Sequence, residues 1–388
     1  MTLPTNEPHQ KHAKLTRLEG GEFGRNELAI VGTTCESIRQ LAYQVISQLT
    51  AYKIAYADAD HKGAESGGQP ISAINNNGYA EYINKIFFTR LDINKQPNAF
   101  QKRALLNDCD LVLINGNHFA ASKQILVLDS AKSLQNKLDK LTNVQLILRK
   151  DYAGEIPDYL TNHLPNFSSI PTLSFDDTYA IIAFVSGLMQ QQIPAINGLV
   201  LSGGKSTRMG SDKGSLNYHG TPQRRYVFNL LAVHCKEVFI SCNGEQAKTI
   251  ADLPIIQDSF LGLGPLGGIL SSFQQNPNVA WLAIACDLPL LSTEIIQYLI
   301  AHRNPSKMAT AFLDAEGVFP EPLVTIWEPR AYPVLLQFLS QGYSCPRKAL
   351  INSDVELLKA PDAFAFKNVN TTEEYNEALT ILHNKHNY

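Results

Sequence analysis

Short apolar runs alternate with longer amphipathic stretches along most of the chain. From Leu28 the run LAIVG precedes a segment in which Ile38, Leu41, Ala42, Val45, Ile46 and Leu49 recur at helical spacing, which predicts strand, loop and helix in succession. KIAYAD from Lys53, DLVLIN from Asp110, QILVLD from Gln124 and VQLILR from Val144 repeat the strand pattern. Apolar runs of strand length separated by helix-length stretches predict parallel strands covered by crossover helices. A second series opens with INGLVL at Ile196, after the polar, proline-ended SGLMQQQIP of residues 186–194, and continues through VFISC and WLAIAC. Thr221 before Pro222 predicts a helix with Thr221 as its N-cap, and Gly264-Pro265 predicts another helix start. The expected fold class is α/β, with two three-layer domains built on mostly parallel sheets. Their expected bounds are a flexible segment over residues 1–27, a first domain over 28–192 and a second over 193–388. No repeat is shared by the two halves, which argues for two different domains.

Composition narrows the function classes. The 388 residues suffice for two or three domains with substantial cores. With 33 basic against 36 acidic side chains the formal charge is −3, and 44% of residues are hydrophobic. That balance argues against disorder throughout and against a nucleic-acid-coating protein. The cysteines, Cys35, Cys109, Cys235, Cys242, Cys286 and Cys345, are dispersed without a CxxC, so neither a zinc site nor a disulfide framework is expected and a reducing cytoplasm fits. The first 27 residues hold no apolar signal segment and no later run has the length of a membrane span, so export and membrane insertion are not expected.

Candidate chemistry concentrates after Leu201. The loop Leu201-Ser202-Gly203-Gly204-Lys205 through Gly210 to Lys213 follows a strand, combining glycines that let main-chain amides approach a phosphate with Lys205, Arg208 and Lys213. It reads as a triphosphate clamp, the plainer account being a solvated surface loop. Asp287 follows WLAIAC and precedes Leu288-Pro289, where a carboxylate fits either a magnesium ligand or a turn residue. Asp258 lies in IIQDSFLGLGPLGGILSS at a helix entry, Asn243 ends the strand VFISC, and Thr371 with Glu374 forms a capping-box pattern.

These stretches carry a specific resemblance. LSGGKSTRMGSDKG is similar to the LAGGxSxRMGxDKx signature of the molybdenum cofactor guanylyltransferases, nucleotidyltransferases of Rossmann-like fold, with Ser202 in place of the usual Ala. CDLPLLS resembles the family's CDxPxxx segment, IIQDSFLGLGPLGGIL its EDSxxxxGPLAGxL segment, and FKNVNTTEEY its FxNVNTPEEL ending. The resemblance implies that Leu201, Ser202, Gly203 and Gly204 line the nucleotide, that Lys213 and Arg208 neutralise phosphates, and that Asp287 coordinates Mg2+ and serves catalysis with them. It also implies that Asp258 and Asn243 contact the nucleotide and that Asn368 and Asn370 lie on the substrate side. Gly203, rather than alanine, matches the guanylyl variant. Glu321 in GVFPEPLVTIW stands where some relatives carry a different loop facing the pterin. Implied ligands are GTP and molybdopterin, with molybdoenzymes or their chaperones as further partners, and neither nucleic acid nor membrane.

More distantly, the first half resembles the molybdopterin-guanine dinucleotide adapter proteins through LAIVGTTCESIRQL, DADHKG and CDLVLINGNH. Its phosphate loop is broken: counted from Gly32, Ser37, Ile38 and Arg39 stand where Gly, Lys and Ser/Thr belong, which disfavours nucleoside triphosphate hydrolysis. A scaffold, delivery or dimerisation role fits that half better. His219 and His234 lack ligand-spaced partners, Trp281 and Trp327 read as core, and Lys132, Lys137 and Lys140 read as a solvated helix face. The sequence therefore points to guanylyl transfer from GTP to molybdopterin-bound cofactor. The rivals are a cytidylyl or sugar-phosphate nucleotidyltransferase and a non-catalytic cofactor-binding or delivery protein.

Overall fold

The computed structural model describes residues 22–59, 73, 76–151, 154–164, 166–202 and 213–385. They divide into two compact units, one over Arg25–Ile193 and one from Pro194 onward that also takes in Glu22–Gly24.

The first unit runs β1 (Asn26–Val31), α1 (Cys35–Gln48), β2 (Ile54–Ala57), β3 (Ala80–Asn84), β4 (Thr89–Ile93), α2 (Ala99–Leu105), β5 (Leu111–Asn115), β6 (Lys123–Asp129), β7 (Val144–Lys150), α3 (Asp158–His163), β8 (Thr172–Ser174) and α4 (Thr178–Gln191). Its sheet has the order β2-β5-β1-β6-β7-β8 with every pairing parallel. Alternate residues of β1 enter opposite layers: Leu28 and Ile30 pack with Ile38, Leu41 and Val45, whereas Ala29 and Val31 pack with Leu126 and Ile147. β1 starts at Asn26, not at Leu28, because the Asn26 N–H donates to Asp110 O and Arg25 is buried in an ion pair with Glu27. β3 and β4 form a separate antiparallel hairpin that the apolar pattern did not reveal.

The loop after β1 explains why this unit departs from a phosphate-binding loop. Gly32 takes a positive φ of 96°, and a Cβ there would lie 2.3 Å from Val127 O. Thr34 caps α1 by accepting the Ser37 N–H, which turns Ile38 into the core with no exposed surface. Arg39 lies on the outer face and pairs with Glu36. Lys132 is not on a solvated helix face as expected: its ammonium donates to Thr33 O at 2.7 Å and Asn117 Oδ1 at 2.8 Å, and burial lowers its pKa. Lys150 donates to Ser37 Oγ and Asp129 Oδ2 beside it.

The second unit comprises β9 (Ile196–Leu201), α5 (Gln223–Ala232), β10 (Val238–Cys242), α6 (Gly244–Ala247), β11 (Ile255–Gln257), α7 (Pro265–Gln275), β12 (Ala280–Ala285), α8 (Thr293–Ala301), β13 (Ala309–Leu313), β14 (Pro320–Trp327), α9 (Ala331–Ser340), α10 (Pro346–Ile351), β15 (Val355–Leu358) and α11 (Thr372–Lys385). The sheet order is β11-β10-β9-β12-β14-β13-β15, and β14 alone runs antiparallel to its neighbours. β9 connects to β10 on one side and has β12 on the other, so the chain reverses direction of travel across the sheet at β9 and opens a crevice beyond its carboxyl end. Trp281 and Trp327 pair across β12 and β14 and are fully buried, as the apolar runs predict. α5 begins one position later than expected. Pro222 has an extended ψ of 138° and is itself the cap residue, so Thr221 does not cap the helix. Gly264 and Pro265 open α7 as predicted.

Candidate active site

Three strand ends and the segment before α11 supply the site. β12 delivers Asp287 two residues beyond its last strand position, and the Val369 N–H donates to Asp287 O at 3.0 Å, tying the segment Asn368–Asn370 to that exit. Lys213, in a short 3-10 turn, donates to Asp287 Oδ2 at 3.3 Å and to Asn370 Oδ1 at 2.5 Å. The capping box is real: Glu374 N–H donates to Thr371 Oγ1, while Glu374 Oε2 accepts the N–H groups of Asn370 and Thr371. Helix initiation therefore fixes the backbone of Asn370 and leaves its carboxamide for Lys213. Asn368 is exposed two residues earlier.

Asp287 Oδ1 is buried and has no hydrogen-bond partner among the described residues. An orphaned carboxylate oxygen beside an ammonium is costly to keep dry unless a further cation completes it, so the donor fits a hard divalent ion. Such an ion can take one protein carboxylate and complete its shell with water and phosphate oxygens. Tyr218 lies close enough for burial, Tyr375 and Asp287 together to push its phenol up.

The nucleotide side is built on β9 and β10. Leu201 ends β9 in the core, and Ser202 is 4% exposed, its hydroxyl without a hydrogen-bond partner among the described residues. Ser202 O accepts Gln246 Nε2 at 2.9 Å. Asn243 caps α6: Oδ1 accepts the N–H groups of Glu245 and Gln246, and Gln246 Oε1 accepts the Asn243 N–H. In this state its carboxamide oxygen holds a helix start, the role its strand-end position also allowed. Asp258 Oδ1 accepts the Ser241 hydroxyl at 2.7 Å, and burial raises its carboxyl above the usual range against that hydrogen bond. Gly203, Gly204 and Arg208, with Lys205 and Gly210, lie outside the described residues.

Sequence reasoning missed three contributors. Ser241, inside an apolar run, carries the Asp258 contact. Gln246 links two strand ends through Ser202. Arg347 pairs with Glu321 at 3.1 Å, a contact between residues 26 positions apart that no local pattern signals.

The MobA-like NTP transferase domain family matches residues 198–356. The molybdenum cofactor guanylyltransferase of Vibrio atlanticus is 30% identical over 190 residues, covering 47% of this chain and 95% of the relative. The chain belongs to the molybdenum cofactor guanylyltransferase family. The molybdenum cofactor biosynthesis bifunctional protein of Synechocystis is 38% identical over 182 residues, 46% of this chain, and that match spans about half of the relative (52%). Among solved structures, molybdopterin-guanine dinucleotide biosynthesis protein A of Archaeoglobus fulgidus matches 48% of this chain and 99% of its own, at 20% identity and a TM-score of 0.42. The second unit is thus a nucleotidyltransferase domain, and no described helix of the family member is long and apolar enough to cross a membrane.

Proposed function

We propose that the second unit transfers GMP from GTP to the phosphate of molybdopterin-bound cofactor and releases pyrophosphate. An oxygen of the acceptor phosphate, already ionised at neutral pH, attacks the α-phosphorus of GTP. The new P–O bond forms as the bond to the β-phosphate oxygen breaks, and pyrophosphate leaves with that electron pair. No proton has to be removed from the nucleophile, so the demand on the protein is to bring two anions together and stabilise the leaving group.

The bridge from Lys213 to Asp287 and Asn370 supports this reading above all others. An ammonium about 4 Å from a phosphate contributes on the order of 4 kcal/mol of gross attraction at an effective dielectric of 20, before desolvation. Lys213, with Arg208, supplies that charge to the triphosphate, while Leu201, Ser202, Gly203 and Gly204 line the nucleotide and Asn243 and Asp258 contact its base or ribose. Asn370 and Asn368 face the acceptor. Asp287 would hold Mg2+ through Oδ1, and the bound ion would screen the phosphate charges. The first unit, with Ile38 in place of the loop lysine, serves as a scaffold or delivery module, and the location is the cytoplasm.

Pyrophosphate release measured in parallel with GTP and CTP, with and without molybdopterin, tests the reading. Release with GTP that requires the acceptor is the expected result. Release with CTP alone would make the chain a cytidylyltransferase, and none with either would leave a binding protein.

A further inference from the structure

The site as described holds cations for the triphosphate, yet the attacking group is itself a dianion and needs a counter-charge of its own. The position of β14 suggests where it comes from. Because β14 runs antiparallel to β12, its first residues lie at the rim where β9, β10 and β12 end. The ladder pairs Trp281 with Trp327 and Ile284 with Val324, so Glu321, the second residue of β14, and Asp287, two residues past the end of β12, belong to the same rim of the sheet. The negative charge of Asp287 reaches the Glu321 carboxyl.

Glu321 is a costly residue for that place. It is 8% exposed, and burial raises its carboxyl above the usual range, with Asp287 and Asp314 adding to the rise and the Leu323 N–H and Arg347 opposing it. Oε1 accepts the Leu323 N–H at 3.0 Å and Oε2 accepts Arg347 Nη2 at 3.1 Å. A buried ion pair seldom adds net stability over apolar packing, so stability alone is a weak reason for a carboxylate here. Its geometric effect is clear: Glu321 holds one nitrogen of a guanidinium whose side chain is 40% exposed, on the second residue of α10, which packs against β14. A guanidinium fork matches a phosphate in two-point contact, as a lysine ammonium does not.

We infer that Arg347 binds the phosphate monoester of the acceptor opposite the nucleotide, and that Glu321 is the positioning residue that orients its guanidinium. This rests on the guanylyl-transfer reading. It divides the cations of the site into a donor set on the Lys213 side and an acceptor cation on the β14 side of Asp287.

Steady-state kinetics of the full chain with GTP and molybdopterin test it. Arg347→Ala is expected to raise the acceptor KM about tenfold or more, the scale of a lost charge-assisted contact, with the GTP KM within about twofold of the wild type. Arg347→Lys recovers part of the acceptor KM, and Glu321→Gln raises it by less than Arg347→Ala. Since Arg347→Ala bares a buried carboxylate, the double variant Arg347→Ala/Glu321→Gln, which removes that charge, is measured alongside with thermal unfolding and GTP calorimetry as controls. An unchanged acceptor KM in both the single and double variants, or acceptor and GTP KM rising together, overturns the inference while wild-type turnover leaves guanylyl transfer standing. A wild-type chain that binds GTP without transferring GMP overturns both.

Discussion

Lys213 and Asp287 are 74 positions apart and meet through a 3.3 Å contact at the exit of β12, with Asn370 accepting a second bond from the same ammonium. One cation thereby touches two segments that arrive from different parts of the chain. Replacing Lys213 by Ala should lower turnover by roughly 10² to 10³, the scale of losing one preorganised charge-stabilising group. Far-UV circular dichroism should be unchanged, because the contact is at the rim and not in the core. Near-normal turnover would remove Lys213 from the mechanism.

Asp287→Asn keeps the shape but removes the carboxylate charge that faces Lys213. The concentration of Mg2+ for half-maximal pyrophosphate release should rise at least about tenfold, in line with what even indirect disturbance of metal ligands costs. An unchanged metal titration would show that the orphaned Oδ1 is not a ligand.

Gly268, in the first turns of α7, marks a close approach. A Cβ on it would lie 2.3 Å from Ser241 Oγ and 2.9 Å from Leu201 Cδ2. Gly268→Ala should therefore displace the Ser241 hydroxyl from Asp258, destabilise the second unit by about 1–3 kcal/mol as overpacking does, and raise the GTP KM. Thermal unfolding and kinetics on the same preparation read both effects.

The raised carboxyl of Asp258 has a sign that can be checked. As pH climbs from the usual carboxylate range, the unfolded chain ionises first and binds fewer protons than the folded one, so stability falls until the folded group also ionises. Asp258→Asn removes that loss and retains an acceptor for Ser241. The melting temperature of the variant relative to wild type should be higher at pH 8 than at pH 4, and a difference independent of pH would refute the buried-carboxylate account.

Much of this was legible in the sequence because apolar runs and crossover spacing are local signals. Leu28–Val31, Leu111–Asn115, Ile196–Leu201 and Ala280–Ala285 all form strands where the runs predicted them. The family motifs carried Lys213, Asp287 and Asn370, and the structure brings these three together. What stayed hidden depends on contacts between distant segments. The direction of β14 follows from pairing with β12 and β13, and an apolar run reads the same in either direction. The destination of Lys132 is equally non-local: a lysine that looks like solvated surface reaches back 99 positions to Thr33.

That last arrangement bears on stoichiometry. Around the Thr33–Ser37 turn Ile38 faces the core where a phosphate-binding loop would place its lysine, and the ammonium groups of Lys132 and Lys150 are engaged by Thr33 O and Ser37 Oγ. On the proposed function, calorimetric titration of the whole polypeptide should accordingly count one GTP per chain, and a count of two would show that the first unit takes up nucleotide as well.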